Sequence, residues 1–273
     1  MDVLNAGVTR PRTGFRYLDD PEGLIAFAHR GGAFHPEIEG LENTMAAFRH
    51  AVALGYDYLE TDVHATRDGR LLAFHDTMLD RVTDRKGEIA SLTCAEVQEA
   101  LIGERERVPT LEHLFDEFPH ARFNIDIKSA NAVHLLAEFI TARGVQDRVL
   151  VGSFSASNLN RFRKITAGTV PTSAHPLEVV IWVLSPTGRI AKALTRGRVS
   201  ALQIPHRRRG IRVASPWLVR KAHSVGVQVH VWTVDDRMEM NDLIDTGVDG
   251  LMTDRTDILK DVLTARGLWE GTT

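Results

Sequence analysis

The chain has 273 residues, of which 43% are hydrophobic and 25% charged, with a formal net charge of −3. This is the composition of a soluble globular protein, and the charge excludes nucleic-acid binding by bulk attraction. A lone Cys94 excludes an internal disulfide, and no apolar run suits a signal peptide or a membrane span, so a cytoplasmic protein is expected.

Residues 1–22 read as a polar, irregular lead-in, followed by a single domain over 23–268. Residues 24–28 (LIAFA) form a short apolar run, the pattern of a parallel strand buried on both faces. It ends in His29-Arg30-Gly31-Gly32, which has neither helix nor strand periodicity. Asn43 or Thr44 then caps a helix with Met45, Phe48 and Val52 on one face, and Gly55 stops it. The stretch 58–76 alternates as a strand, with Glu60, Asp62 and His64 on one side and Leu59, Thr61 and Val63 on the other. Asp68-Gly69 is a hairpin signal, and a two-residue turn there would set Arg67 against Arg70 and His75 against Asp62.

Residues 92–118 read as helical, and 122–128 (RFNIDIK) as a strand with Asn124, Asp126 and Lys128 on one side. A helix over 133–143 is closed by Gly144. Strands at 149–154, 201–205, 227–234 and 250–253, with a weaker one at 170–174, then alternate with helices at 157–165, 216–224, 236–245 and 256–265. Eight strands, each followed by a helix or long loop, make the expected fold α/β, a (β/α)8 TIM barrel with a β-hairpin inserted after the second strand. A doubly wound sheet ranks second, because no GxGxxG follows any strand.

In such a barrel the active site lies at the C-terminal ends of the strands. His29 and Arg30 follow the first strand, Glu60 and Asp62 end the second, Asp126 and Lys128 the third, and Trp232 the seventh. Glu42 stands on the same rim. Three carboxylates so close repel unless a cation or protons lie among them, and an all-oxygen set favours Ca²⁺ or Mg²⁺ over zinc. The plainer alternative pairs Glu60, Asp62 and Asp126 with Arg30 and Lys128 in a structural salt-bridge network. His29 and His75 are the candidate acid–base pair, since imidazole titrates near neutrality. Arg30 and Lys128 supply the cationic donors that a phosphate ester requires.

His29-Arg30-Gly31, Glu42-Asn43-Thr44, Glu60-Thr61-Asp62, Asp68-Gly69, His75-Asp76 and Asp126-Ile127-Lys128 together resemble the glycerophosphodiester phosphodiesterase family. Ser153-Phe154, Trp232-Thr233-Val234, Gly247-Val248-Asp249-Gly250 and Thr253-Asp254 extend the resemblance over residues 25–260. It implies hydrolysis of small glycerophosphodiesters to an alcohol and glycerol 3-phosphate. It further implies His29 and His75 as acid and base, with the two roles unassigned between them. Arg30, Glu42, Lys128 and Trp232 would bind substrate, and Glu60, Asp62 and Asp126 would ligate the metal. Asp126 stands where the family more often has glutamate, one methylene longer, which leaves ligation direct or through water. The loop 33–41 is longer than the family's usual spacing.

Two other readings compete. A lysophospholipase D or sphingomyelinase D-type enzyme would use the same polar set on a lipid headgroup. The apolar stretch 177–184 (LEVVIWVL) and Arg207-Arg208-Arg209 could then meet acyl chains, a membrane or anionic lipid. A buried helix and a solvated loop are the plainer readings of those two segments. A non-catalytic phosphodiester-binding barrel is the reading from another class, and it is expected to lack a histidine or acid of the set.

Overall fold

The computed structural model describes residues 10–21 and 23–269. The first half contains α1 (Arg16–Asp19), β1 (Ile25–Ala28), α2 (Met45–Ala53), β2 (Tyr58–Ala65), β3 (Leu71–Ala73), α3 (Cys94–Gln98), β4 (Leu101–Ile102), β5 (Glu106–Arg107) and α4 (Leu111–Glu117). There follow β6 (Arg122–Ile127), α5 (Ala132–Arg143), β7 (Val149–Gly152), α6 (Ala156–Ile165), α7 (Pro176–Leu184) and α8 (Gly188–Leu194). The last third holds β8 (Ala201–Pro205), β9 (Arg207–Arg208), β10 (Ile211–Arg212), α9 (Pro216–His223), β11 (Gln228–Trp232), α10 (Arg237–Thr246), β12 (Gly250–Thr253) and α11 (Thr256–Ala265).

Seven parallel strands run β7-β6-β2-β1-β12-β11-β8. The eighth position, between β7 and β8, is filled by Thr172, which bridges Val151, and Ser173, which bridges Ala201. The Ser173 and Ala174 N–H groups donate to Val151 O and Ala201 O, each at 3.0 Å, and this closes the (β/α)8 barrel. The strand expected at 170–174 is thus reduced to a two-residue link.

Strand alternation sorts the core into two layers. Leu59, Val63, Ile125, Val151 and Leu202 join the large cluster packed beneath the helices. Ile25, Phe27, Tyr58, Leu150 and Met252 form a smaller one with Tyr17 and Leu18 of α1. Tyr58 ties the two segments together, since its hydroxyl donates to Tyr17 O at 2.7 Å.

The structure differs from the sequence reading in further places. Within the segment read as irregular, residues 16–19 form α1, whose Tyr17 and Leu18 are buried in the core. The β2–β3 register sets Val63 against Ala73, and the Thr66 N–H donates to Arg70 O at 3.0 Å, so the loop has three residues. Asp68 is not at positive φ, as a two-residue type I′ turn would require, and its carboxylate accepts from the Thr66 hydroxyl at 2.6 Å. In consequence Phe74, not His75, lies opposite Asp62. On α2 the inner face is Met45, Ala47, Phe48 and Ala51, and Val52 points out. The helical pattern of 92–118 is interrupted by the β4–β5 ribbon. Finally, 177–184 is a helix, but among its residues only Glu178 and Trp182 are buried. No helix of the described residues is long and apolar enough to cross a membrane.

Candidate active site

Strand β1 ends in a tight turn, His29–Gly31, with Arg30 held at φ 49, a conformation uncommon for a non-glycine residue. Gly31 and Gly32 follow at φ +86 and +88, and a Cβ on Gly31 would stand 2.7 Å from Ala47 Cβ. This turn presents His29 and Arg30 to the mouth of the barrel. His29 Nδ1 lies 2.8 Å from Asp254 Oδ1, at the end of β12, and its Nε2 lies 3.8 Å from Glu60 Oε2. Burial alone would lower the imidazole pKa, but the Glu60 charge and the Asp254 hydrogen bond outweigh it and raise it to about 9. The Arg30 backbone N–H donates to Glu60 Oε2 at 3.0 Å. Its guanidinium reaches Glu42 Oε1 at 3.1 Å and Asp62 Oδ2 at 3.2 Å.

The inward positions of β2 and β6 supply the acids, with Asp62 and Asp126 in register as neighbours. The Lys128 ammonium sits between them, 2.9 Å from Asp62 Oδ1 and 2.6 Å from Asp126 Oδ2. Burial pushes all three carboxyls up; it prevails at Glu60, reinforced by Asp62, and at Asp126. At Asp62 burial is outweighed by Lys128 and Arg30, and the carboxyl is held low. Lys128 is held protonated by the two acids in spite of its own burial.

His75 follows β3 and approaches from the side, its Nδ1 2.6 Å from Asp76 Oδ1. Arg81 clamps this corner, with Nε 2.6 Å from Asp76 Oδ2 and Nη2 2.6 Å from Glu42 Oε1. The Arg81 hydrogen bond, together with that from His75, overcomes partial burial and holds Asp76 down at about 2.

His29, Arg30, Glu60, Asp62, His75, Asp126, Lys128 and Trp232 all line one cavity of about 560 Å³. Trp232 packs edge-on against Phe154 at 5.7 Å, and Phe154 in turn stands 5.6 Å from Lys128 Nζ. Glu42 does not line the cavity; it holds Arg30 and Arg81 from behind. Asn43, Asp76 and Asp254 stand in the sequence motifs without a role at the site, and Arg81 stands in none of them. Asn43 donates to Asp62 Oδ2 at 3.0 Å and accepts from the Thr61 hydroxyl at 2.8 Å. The signal for Asp254 and Asp76 was position: one follows the last strand, the other adjoins His75.

A model of the glycerophosphoryl diester phosphodiesterase family matches residues 29–258. A Mycobacterium tuberculosis protein named "Probable glycerophosphodiester phosphodiesterase 2" is 40% identical over 252 residues, 91% of this chain and 94% of that one. The chain belongs to the glycerophosphoryl diester phosphodiesterase family. A glycerophosphodiester phosphodiesterase of Caldanaerobacter subterraneus is 30% identical over 86% of this chain and 96% of its own. Among solved structures, an Oleispira antarctica phosphodiesterase in complex with the product sn-glycerol-3-phosphate is similar in fold, with a TM-score of 0.73 and 21% identity. That likeness covers 89% of this chain and 97% of the other.

In this structure Asp62 and Asp126 are engaged by Arg30 and Lys128. Among the described residues, the group whose ligand atoms all lie within 4.8 Å of one another is His35, Glu37 and His50, which could hold a metal ion and does not line the cavity. In the cavity the donor chemistry suits a hard cation. Glu60 Oε2 accepts the Arg30 N–H and Asp126 Oδ2 accepts from Lys128, while each acid's other oxygen has no protein hydrogen-bond partner among the described residues. The carboxyls of Glu60 and Asp126 are both raised, by burial first and by the Asp62 charge beside it.

Proposed function

We propose that the chain hydrolyses glycerophosphodiesters, releasing an alcohol and glycerol 3-phosphate, with His29 and His75 as the acid–base pair. The observation that carries this reading is the pairing of two imidazoles, each oriented by its own carboxylate, around one cavity that Arg30 and Lys128 also line. His29 is held by Asp254 at 2.8 Å and His75 by Asp76 at 2.6 Å, with Arg30 and Lys128 on the same wall. The 40% identity to a protein carrying a glycerophosphodiester phosphodiesterase name supports the same substrate class.

The proposed chemistry needs little movement. Arg30 and Lys128 bind the non-bridging phosphate oxygens and stabilise the charge that grows there in the transition state. One histidine accepts the proton of a water as its oxygen attacks phosphorus, or of the neighbouring glycerol hydroxyl, in which case a water must then attack the cyclic phosphate and break its ring P–O bond to give glycerol 3-phosphate. The bond from phosphorus to the alcohol oxygen breaks, and the other histidine delivers a proton to that oxygen. Trp232 and Phe154 give the glycerol or alcohol carbons an apolar contact. Glu42 and Arg81 are positioning residues, acting through Arg30 and Asp76. Glu60, Asp62 and Asp126 are the residues that would hold Ca²⁺ or Mg²⁺, which when bound would supply Lewis-acid polarisation of the phosphate. We take residues 23–268 as the catalytic domain, 1–22 as a lead-in, and the cytoplasm as the location.

The test is release of glycerol 3-phosphate from glycerophosphocholine or glycerophosphoethanolamine, with Ca²⁺, Mg²⁺ or excess chelator. Ion-dependent turnover is the expected result. Turnover of a lysophospholipid alone would transfer the site to headgroup cleavage of lipids, and calorimetric binding without product would make the barrel a binding protein.

A further inference from the structure

We propose that the rim beside the cavity is a docking surface for an anionic phospholipid bilayer, formed by the outer face of α7 and the β9–β10 ribbon. Helix α7 has the sequence PLEVVIWVL, yet Leu177 is 66% exposed, Val180 48%, Val183 39% and Leu184 77%. Leu177, Val180 and the pair Val183 and Leu184 succeed one another at intervals of three or four residues, so they form one apolar stripe along the helix. A contiguous apolar patch of this kind on a soluble fold marks a contact site.

The stripe is held firmly in place. His175 and Glu178 form a capping box at the N-terminal end. Glu178 is clamped by Arg163, and the Lys221 ammonium donates to Trp182 O and to Ser185 O at the far end. The outward-facing leucines are therefore a property of a well-anchored helix.

Charge selects the occupant. Arg207, Arg208 and Arg209 lie on and next to the ribbon, all exposed, with no ion pair among the described residues, and Ile211 beside them is 73% exposed. Arg207 and Arg208 line the same cavity as Pro176, Val179 and Val180, so the stripe and the basic ribbon flank one mouth. Exposed Phe154 lies on that mouth as well. Apolar side chains with unpaired arginines at their edge match the boundary between headgroups and acyl chains of an anionic leaflet. The chain as a whole carries −3, so the attraction is local to this rim. A second copy is the poorer occupant, because a two-fold contact there would bring two arginine ribbons to one interface.

The experiment is sedimentation of the full chain with vesicles of phosphatidylcholine, alone or mixed with phosphatidylglycerol. Binding to the mixed vesicles alone, weakened by added salt, is expected. The triple variant Leu177→Asp, Leu184→Asp, Arg209→Glu should lower vesicle partitioning at least about tenfold. None of those three residues lines the cavity, so its turnover of water-soluble glycerophosphocholine should stay unchanged. Arg209→Glu alone, at an exposed position, should weaken binding with no risk to the fold. Wild-type protein left in the supernatant with both vesicles would overturn the proposal, as would a triple variant that sediments like wild type. A wild-type dimer that the variant converts to a monomer would assign the stripe to a second copy instead. Vesicle binding in a protein that hydrolyses no diester would leave docking intact and overturn only the catalytic reading.

Discussion

Replacing Arg163 tests how the weakest part of the barrel is held. Thr172 and Ser173 close the ring with bridges alone, and Arg163 of α6 secures them from outside. Its Nε donates to the Thr172 hydroxyl at 2.8 Å and its Nη2 to Ser173 O at 3.0 Å. The same guanidinium meets Glu178 of α7 through both nitrogens, at 2.7 and 3.0 Å, and the two side chains are only 6% and 7% exposed. In Arg163→Met the Glu178 carboxylate stays buried, with the His175 N–H at 3.1 Å and the His175 ring as its remaining partners. Stranding a buried carboxylate in this way costs about 3–5 kcal/mol. That is a large part of the ~5–15 kcal/mol that usually separates folded from unfolded protein. Urea unfolding followed by tryptophan fluorescence should show the loss as a lower midpoint with an unchanged slope. In Arg163→Met/Glu178→Met no charge is stranded, so most of the stability should return. A single variant that loses less than about 1 kcal/mol, or a double variant as unstable as the sum of the singles, would refute the stranded-charge reasoning.

Other consequences are as direct. His29→Ala and His75→Ala should each reduce kcat by about 10²–10⁴ with the fold intact by circular dichroism; losses below tenfold in both would remove them from the chemistry. Gly32→Ala should destabilise by more than about 1 kcal/mol, since φ is +88 and the new Cβ would meet Thr256 Cγ2 at 2.6 Å; an unchanged melting temperature would contradict this. Burial, with Arg10 adding to it, pushes the His230 imidazole down from 6.5 to about 3, so its contribution to stability is complete above pH 6.5 and is lost as pH falls toward 3. Between pH 7 and 5 this amounts to about 2 kcal/mol, and the difference in unfolding free energy across that interval should shrink by as much in His230→Leu.

The barrel was legible because alternation and strand ends are local properties. The period of two along 58–65 assigned Leu59 and Val63 to the helix side and Glu60 and Asp62 to the interior, and the end of β11 placed Trp232 at the cavity. What escaped depended on backbone conformation or on distant partners. The hairpin register turned on Asp68 staying out of the positive-φ region, which the Asp-Gly pair alone does not reveal. The apolar run 177–184 declared a helix-compatible segment without saying which face would find a partner, since nearly every residue in it is apolar. Asp254 reaches His29 across 225 positions of sequence, so its place after the last strand does not name its partner, and Arg81 reaches Glu42 across 39 with no local pattern to mark it.

The charge balance of the cavity explains why pairing and catalysis are not exclusive readings of the same acids. Lys128 and Arg30 are already engaged, at 2.6 to 3.2 Å, by Asp62 and Asp126. A phosphodiester that binds those cations competes with the carboxylates for the same donors, and each hydrogen bond that turns to phosphate leaves an acid less compensated. Glu60 and Asp126 already have raised carboxyls before that exchange begins. On the proposed reading, proton uptake or a divalent cation accompanies substrate binding. On that reading, the salt-bridge network at rest and a cation-dependent site in turnover would be two states of one set of residues. Isothermal calorimetry in buffers of different ionisation enthalpy separates the alternatives: proton uptake on glycerol 3-phosphate binding without added metal, suppressed by Ca²⁺ or Mg²⁺, is the expected result. Binding that is insensitive to both buffer and ion would mean that the acids never give up Lys128 and Arg30, and that the phosphate is held elsewhere.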